Sequence, residues 1–301
     1  MNRTGERFSD VILSGGTGRS GTTIIGKLLS RHSEVGLSRP SEIKMLTSGN
    51  GLLDLHLRRR VGRYRRLIVN DRLHLARFKS RLFNDWWERD PKVGEIAGLI
   101  QGIELNELQA IYETLRIDWK KSRDIAPANF FRSFVDIQKE VSGKKMWIDT
   151  TPINLFRSKE IAAFLPGTRF IHMVRDGRDV IASVVRERWG PKNYEEGLVW
   201  YRRRMKRNLI NSKWLDDRVL TISLENLVIN QRLESFSRIL EFLEIPNEKK
   251  IQAYFDSKVL PENVRRGRWR DEVEDVNRFN DRYFEIVAEL KAIDATVPLS
   301  S

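Results

Sequence analysis

Apolar positions along the chain follow two alternating patterns. Val11-Ile12-Leu13, Lys145-Met146-Trp147-Ile148-Asp149, Arg169 to Val174 and Val219 to Leu224 are short, nearly continuous apolar runs that end at turns. Runs of this length, rich in β-branched and aromatic residues, predict buried strands. Glu34-Val35-Gly36-Leu37-Ser38 is a shorter strand-like run. Between them, apolar residues return at helical spacing: Ile24, Ile25, Leu28 and Leu29 predict a helix beginning near Thr22. Further helices are predicted from about Leu155 to Phe164, from Val180, from Tyr194 to Lys213, through Leu233–Leu243 up to Pro246, and from about Asn277 to Ala292. Strand and helix in alternation predict an α/β fold, a parallel sheet flanked by helices.

Residues 51–140 break the pattern. They read as helices with irregular joins, whose apolar sides are supplied by Leu52, Leu53, Leu55 and Leu57 and then by Leu73, Leu75, Phe78 and Leu82. The stretch is predicted to be a helical insertion in a single domain spanning 1–301. Trp86, Trp87 and Trp119 are expected in its core rather than in an acceptor groove.

Composition narrows the classes. With 301 residues, 40% hydrophobic, the chain can bury the core of one large domain. It has no cysteine, so disulfides, thiol nucleophiles and cysteine-ligated metals are excluded. No apolar run approaches a membrane span, and Met1 to Asp10 is polar, so a cytoplasmic location is expected. The formal charge of +13 calls for an anionic partner. Much of it is local: Arg58, Arg59, Arg60, Arg63, Arg65, Arg66, Arg72, Arg77, Lys79 and Arg81 face only Asp54 and Asp71. A solvated face, an acidic substrate and peripheral contact with a membrane all suit that cluster.

The first strand runs into Ser14 to Thr23, S-G-G-T-G-R-S-G-T-T. Strand, glycine turn and helix bring backbone N–H groups and the positive end of a helix dipole together on an anion. Gly16, Gly21 and Thr23 fall on the two glycine positions and the hydroxyl position of a Walker A loop, but the lysine position is Thr22. The cation is Arg19, inside the loop, whose planar fork suits an oxyanion without a metal. No acidic metal-holding residue is evident at a later strand end, so no metal is expected. The fourth strand repeats the design, ending in Arg175-Asp176-Gly177-Arg178-Asp179 before a helix that carries Ser183. Arg175 and Ser183 could hold a second phosphate; an arginine paired with Asp176 or Asp179 and a serine bonded to its own backbone is the plainer alternative. His172 is expected in the core. Near the end, Val264-Arg265-Arg266-Gly267-Arg268-Trp269-Arg270 is a basic turn that could clamp a phosphate, or a solvated loop with Trp269 on the core. Glu42 and Lys44, after the second strand, would emerge beside the glycine turn; the plainer reading of Glu42 is a carboxylate at a helix start.

Together, the G-x-x-R-S-G-T-T turn, the R-D-x-R-D-x-x-x-S unit and the late R-G-x-W segment resemble the sulfotransferases that use 3′-phosphoadenosine-5′-phosphosulfate, especially the bacterial and tyrosylprotein branch. The resemblance covers residues 10–50 and 145–285. It implies a P-loop nucleoside-kinase-like fold. It implies that Gly18, Arg19, Ser20, Gly21, Thr22 and Thr23 bind the 5′-phosphosulfate, that Arg175 and Ser183 bind the 3′-phosphate, and that Arg266-Gly267 closes over that end. Two positions depart from the family. A lysine commonly precedes the Thr-Pro dipeptide, where this chain has Thr150, and a tyrosine often stands where it has Leu224. Family members keep a Glu or His base after the second strand, and Glu42 fits if a small gap is allowed. The implied reaction moves a sulfonate to an acceptor hydroxyl, with Arg19 stabilising the transferred group and Glu42 as base. The acceptor expected is a carbohydrate or glycolipid. A P-loop nucleotide or small-molecule kinase is the alternative. Nucleic acid is not expected, because the basic residues cluster outside the glycine turns.

Overall fold

A computed structural model describes residues 8–57, 71–89 and 97–299. Five strands form one sheet: β1 (Val11–Gly16), β2 (Val35–Leu37), β3 (Met146–Asp149), β4 (Arg169–Val174) and β5 (Val219–Ser223). Their order is β2-β3-β1-β4-β5, and every pairing is parallel. The helices are α1 (Thr22–Leu29), α2 (Leu52–Leu57), α3 (Asp71–Ser80), α4 (Leu105–Asp118), α5 (Ala126–Ser142), α6 (Ser158–Phe164), α7 (Gly177–Val184), α8 (Tyr194–Ser212), α9 (Arg232–Leu243), α10 (Lys249–Lys258), α11 (Trp269–Glu272) and α12 (Val276–Ile293). The predicted α/β class and all five strands are present.

A parallel sheet must be covered on both faces, and the strand residues divide accordingly. Ile12, Ile148, Ile171, Met173 and Ile222 point to one face, where α1, α9 and α10 bring Ile25, Leu28, Phe236, Ile239 and Phe255. Val11, Leu13, Trp147 and Phe170 point to the other, where they join Leu53, Phe78, Phe131 and Phe134 from the helices of the insertion. Val174, on that same side, packs with α7, α8 and α12 through Val180, Tyr201, Met205 and Tyr283. The insertion is therefore not an appendage. It supplies most of one layer. Trp86 and Trp119 are buried in it and Trp87 is partly buried against it, as expected. The basic residues from Arg58 to Arg66 lie outside the described residues.

The segment predicted as one helix from Leu155 divides in two. A 3₁₀ turn, Pro152–Arg157, precedes α6. Proline opens the turn, and Asn154 turns its side chain back to the Asp149 carboxylate (2.7 Å) and the Ser14 carbonyl (3.2 Å). Arg157 ends it, buried between Asp54 (2.9 Å) and Glu160 (2.7 Å).

The order of strands creates the cleft. The chain leaves β1 toward β2 on one side, whereas β4 continues to β5 on the other, so loops diverge above the carboxyl ends of β1 and β4. Ligands of open α/β sheets bind at such a divergence. His172 lies under it, in register with Gly15 of β1, wholly buried, with neither ring nitrogen hydrogen-bonded. Burial lowers its pKa to about 4, with Asp294 opposing. The folded protein keeps this ring neutral while the unfolded chain protonates it near its ordinary value. The stability it confers is thus complete above pH 6.5 and is lost as the pH falls toward 4. Denaturant unfolding at pH 7 and pH 4.5 is expected to show a steeper loss for the wild type than for His172→Leu, by roughly 2–3 kcal/mol. Equal losses would mean that His172 titrates normally.

Candidate nucleotide and acceptor site

The turn between β1 and α1 is built from backbone that few sequences tolerate. Gly18, Arg19 and Gly21 have φ of 93°, 58° and 99°. Left-handed residues set among right-handed ones are the backbone from which anion nests, concave groups of successive N–H donors, are made. Gly21 starts α1, which has neither a side-chain cap nor an acidic residue in its first turn, so its first amides face the cleft uncapped. A side chain at Gly21 would meet Leu224 Cδ1 at 2.9 Å. Leu224 therefore packs against this turn itself.

The predicted binding residues divide on inspection. Arg19, Gly21, Thr23, Arg175 and Ser183 line one cleft of about 600 Å³. Ser20 and Thr22 are buried beneath the loop, and a side chain at Gly16 would collide with Ser20 Oγ. Gly18 stands at the rim, its Cβ direction facing Pro152 and Trp189.

The two turns expected to hold two anions are joined. Arg19 Nε donates to Ser183 Oγ at 2.8 Å, and Arg175 Nη1 donates to the Arg19 carbonyl at 3.1 Å. Arg175 Nη2 donates to the Arg265 carbonyl and lies 3.7 Å from Asp179 Oδ2. The plainer alternatives hold only in part. Asp176 is engaged by Arg178 (2.7 Å) and caps α7, so it is not the partner of Arg175. Ser183 accepts from Arg19, and no bond to its own backbone competes. Burial pulls the pKa of Arg175 down, with Asp179, Glu225 and Asp176 opposing. A guanidinium this deep, with its carboxylate contact at 3.7 Å, is only partly compensated for its desolvation.

The late basic turn is shared between two clefts. Arg266 and Gly267 line a neighbouring cleft with Asp176, Glu225 and Trp269, and Gly267 N–H donates to Asp179 Oδ1 at 2.7 Å. Arg265 and Arg268 are the residues that reach the main cleft, as does Arg186 of the segment after α7. The left-handed φ of 75° at Gly267 folds the turn so that its arginines are shared between the two clefts. Nothing in a run of arginines marks which ones a turn directs to which cleft, so the sequence alone could not separate Arg265 and Arg268 from Arg266. Trp269 is buried under Arg178, whose guanidinium lies 4.7 Å from its ring centroid.

Glu42 lies over the carboxyl end of β3, and no helix begins there. Thr150 donates from both N–H (3.0 Å) and Oγ1 (2.8 Å) to the Ser41 carbonyl, and Thr151 Oγ1 lies 3.2 Å from the Ile43 carbonyl. Arg89 Nη2, from the insertion, donates to the Glu42 carbonyl at 3.4 Å. Beneath this loop is a carboxylate that sequence reading missed. Asp149, wholly buried, accepts from Ile43 N (2.9 Å), Thr151 N (3.1 Å), Thr151 Oγ1 (3.0 Å) and Asn154 Nδ2 (2.7 Å). Burial raises its pKa to about 6 while these donors oppose the rise. Its one visible signal was an acidic residue ending an apolar strand. Thr150, in the family's lysine position, is buried with Cγ2 against Gly26 of α1. His32 is buried against the Pro246 carbonyl (3.0 Å) and His56 bonds the Asp124 carbonyl (3.0 Å), and neither lines the cleft.

A parallel sheet with an anion nest and a second arginine–serine turn at its divergence is the architecture of a group-transfer enzyme acting on a phosphorylated nucleotide. The model of the sulfotransferase family matches residues 12–249, and the chain belongs to that family. Its members transfer sulfonate groups. Among solved structures, the sulfotransferase domain of the Synechococcus PCC 7002 olefin synthase is similar, with TM-score 0.52 and 16% identity over 98% of this chain and 98% of that one. Sulfotransferase STF9 from Mycobacterium avium is similar at TM-score 0.50 and 12% identity, over 98% of this chain and 79% of the other. At these identities the likeness is one of fold. No curated protein matches the chain by sequence. Among the described residues, no helix is long and apolar enough to cross a membrane.

Proposed function

We propose that the protein transfers the sulfonate of 3′-phosphoadenosine-5′-phosphosulfate to a hydroxyl of a carbohydrate or glycolipid. The observation that carries this reading is the junction of two anion-binding turns in one cleft, through the Arg19–Ser183 and Arg175–Arg19 hydrogen bonds. A nucleotide with phosphate on both the 3′ and 5′ sides needs two such turns a ribose apart. A triphosphate laid along one loop needs one.

In this reading the amides of Gly21, Thr22 and Thr23 receive the 5′ end, and Arg175 and Ser183 the 3′-phosphate. Arg19 belongs to the first turn by sequence and touches the second through its side chain, so it links occupancy of one to the other. Arg265 and Arg268, which line the same cleft, join the turn at Arg266-Gly267 in covering the nucleotide. The acceptor oxygen attacks sulfur, the bond from sulfur to the 5′-phosphate oxygen breaks, and the acceptor proton passes to Glu42. The products are a sulfate ester and 3′,5′-bisphosphoadenosine. Negative charge grows on the leaving phosphate oxygen and the equatorial sulfonate oxygens, where preorganised amides and Arg19 stabilise it. Asp149 acts through Glu42's loop, fixing Ile43 and Thr151 so that the base is presented at the β3 end.

Two outcomes test the reading. Without added metal, 3′,5′-bisphosphoadenosine is expected to raise the melting temperature well above the effect of adenosine 5′-phosphate, because only the former engages Arg175. Arg175→Ala is expected to weaken its binding by roughly 1.5–3 kcal/mol, the worth of a charge-assisted hydrogen bond. Equal shifts from both nucleotides would refute the two-turn assignment.

For the base, Glu42→Gln is expected to leave bisphosphoadenosine affinity unchanged and lower turnover by about 10²–10⁴-fold. Turnover within a few-fold of wild type across pH 6–9 would remove Glu42 from the mechanism.

A further inference from the structure

Beyond the nucleotide cleft, the rim at Gly18 leads onto an aromatic surface to which no role has been assigned. Trp189 follows α7 and stands 4.0 Å from the position a Gly18 Cβ would occupy, with Pro152 opposite at 3.9 Å. It is 55% exposed, unusual for a tryptophan without a partner to cover it. Its ring neighbours Trp200 of α8, with centroids 6.5 Å apart and planes at 41°. Trp200 continues into a small cleft of about 190 Å³ walled by Ile153, Phe156, Arg203 and Arg204. The strip thus begins at the loop expected to hold the sulfonate end of the donor and runs outward over the 3₁₀ turn after β3.

Its charge is as one-sided as its shape. Arg204 lies over the Trp200 ring, 4.6 Å from the centroid, and Arg207 is 5.7 Å from the Phe156 ring. Neither Arg203 nor Arg204 has a carboxylate partner among the described residues. Adjacent Arg202, by contrast, is paired with Glu289. Burial lowers the pKa of Arg204 and the Arg203 charge lowers it further, so the two cations repel each other without compensation. Two guanidinium groups left unneutralised beside the exposed Trp189 ring and the half-buried Trp200 and Phe156 suit a ligand that has both flat apolar C–H faces and anionic substituents.

We infer that Trp189, Trp200, Arg203 and Arg204 form a subsite for an acidic glycan, holding sugar rings that flank the acceptor hydroxyl. This rests on the sulfonate-transfer reading for its placement and adds that the glycan is acidic and which residues hold it. An open strip favours an extended acceptor over a small phenol, which would need an enclosed pocket. An acidic peptide fits less well. The walls are side chains of α8 and of a 3₁₀ turn, and they offer no strand edge for peptide backbone to pair with. Sugar rings need only stacking faces and charges.

The test is isothermal titration of the whole chain with 3′,5′-bisphosphoadenosine, then with three oligosaccharides: a glucuronate–N-acetylglucosamine hexasaccharide, sialyllactose and neutral chitohexaose. At least one acidic glycan is expected to bind, and chitohexaose to bind far more weakly. Trp189→Ala and the Arg203→Ala/Arg204→Ala pair are each expected to lower that affinity about tenfold or more, with bisphosphoadenosine affinity unchanged as proof of folding. Binding of neither acidic glycan, or binding that both variants leave intact, overturns the subsite. So does tight binding of an acidic tyrosine peptide that the same variants abolish. Loss of bisphosphoadenosine binding by the wild type, with glycan binding retained and sensitive to the variants, would instead sink the donor assignment and leave the subsite standing.

Discussion

The Arg175 guanidinium, buried where β4 ends, holds the site together. It donates to the carbonyl of Arg19 in one turn and of Arg265 in another, and it faces Asp179 at 3.7 Å. Three segments distant in sequence are thereby fixed around one cation. Desolvating that cation is costly, and a single carboxylate at this distance offsets the cost only in part. The fold accepts the expense at the point where loops diverge above the sheet, and an anionic ligand would repay it with charge-assisted bonds. Arg19 extends the same logic, since its left-handed backbone belongs to the nest and its side chain reaches Ser183.

On the other side of β1, a buried anion has the corresponding task. Asp149 gathers amide, hydroxyl and side-chain amide donors from residues 43, 151 and 154, and Asn154 in turn bonds β1 at Ser14. The loop carrying Glu42 is thus fastened to the strand that carries the nest. Arg89 adds a tie from the insertion. Arg175 on one side of β1 and Asp149 on the other fasten the loops above the cleft to one sheet. Rigidity of this kind matters for group transfer, since misplacement of an attacking oxygen by an ångström is expensive in rate.

Much of this was legible in the sequence. The strands could be read because parallel strands, buried on both faces, are uninterrupted apolar runs. The nest could be read because only glycine-rich sequence permits its left-handed backbone. Arg175 and Ser183 repeated that grammar. What was not legible depends on direction or on distant contacts. Ser20 and Thr22 have the right chemistry but are buried where Arg19 and Thr23 line the cleft. Arg265 and Arg268 could not be separated from Arg266 and Gly267 until the turn at Gly267 assigned sides. Asp149 draws its partners from residues far along the chain. The exposure of Trp189 beside Gly18 likewise arises from the meeting of two loops 171 positions apart.

The claim on which everything else rests is that two joined turns receive the two ends of one nucleotide. A crystal structure of the protein soaked with 3′,5′-bisphosphoadenosine tests it most directly. The result expected is a 5′-phosphate on the amides of Gly21 to Thr23 and a 3′-phosphate within hydrogen-bond reach of Arg175 and Ser183. A nucleotide bound with its 3′-phosphate in solvent, or seated away from the Gly18–Thr23 turn, would contradict it.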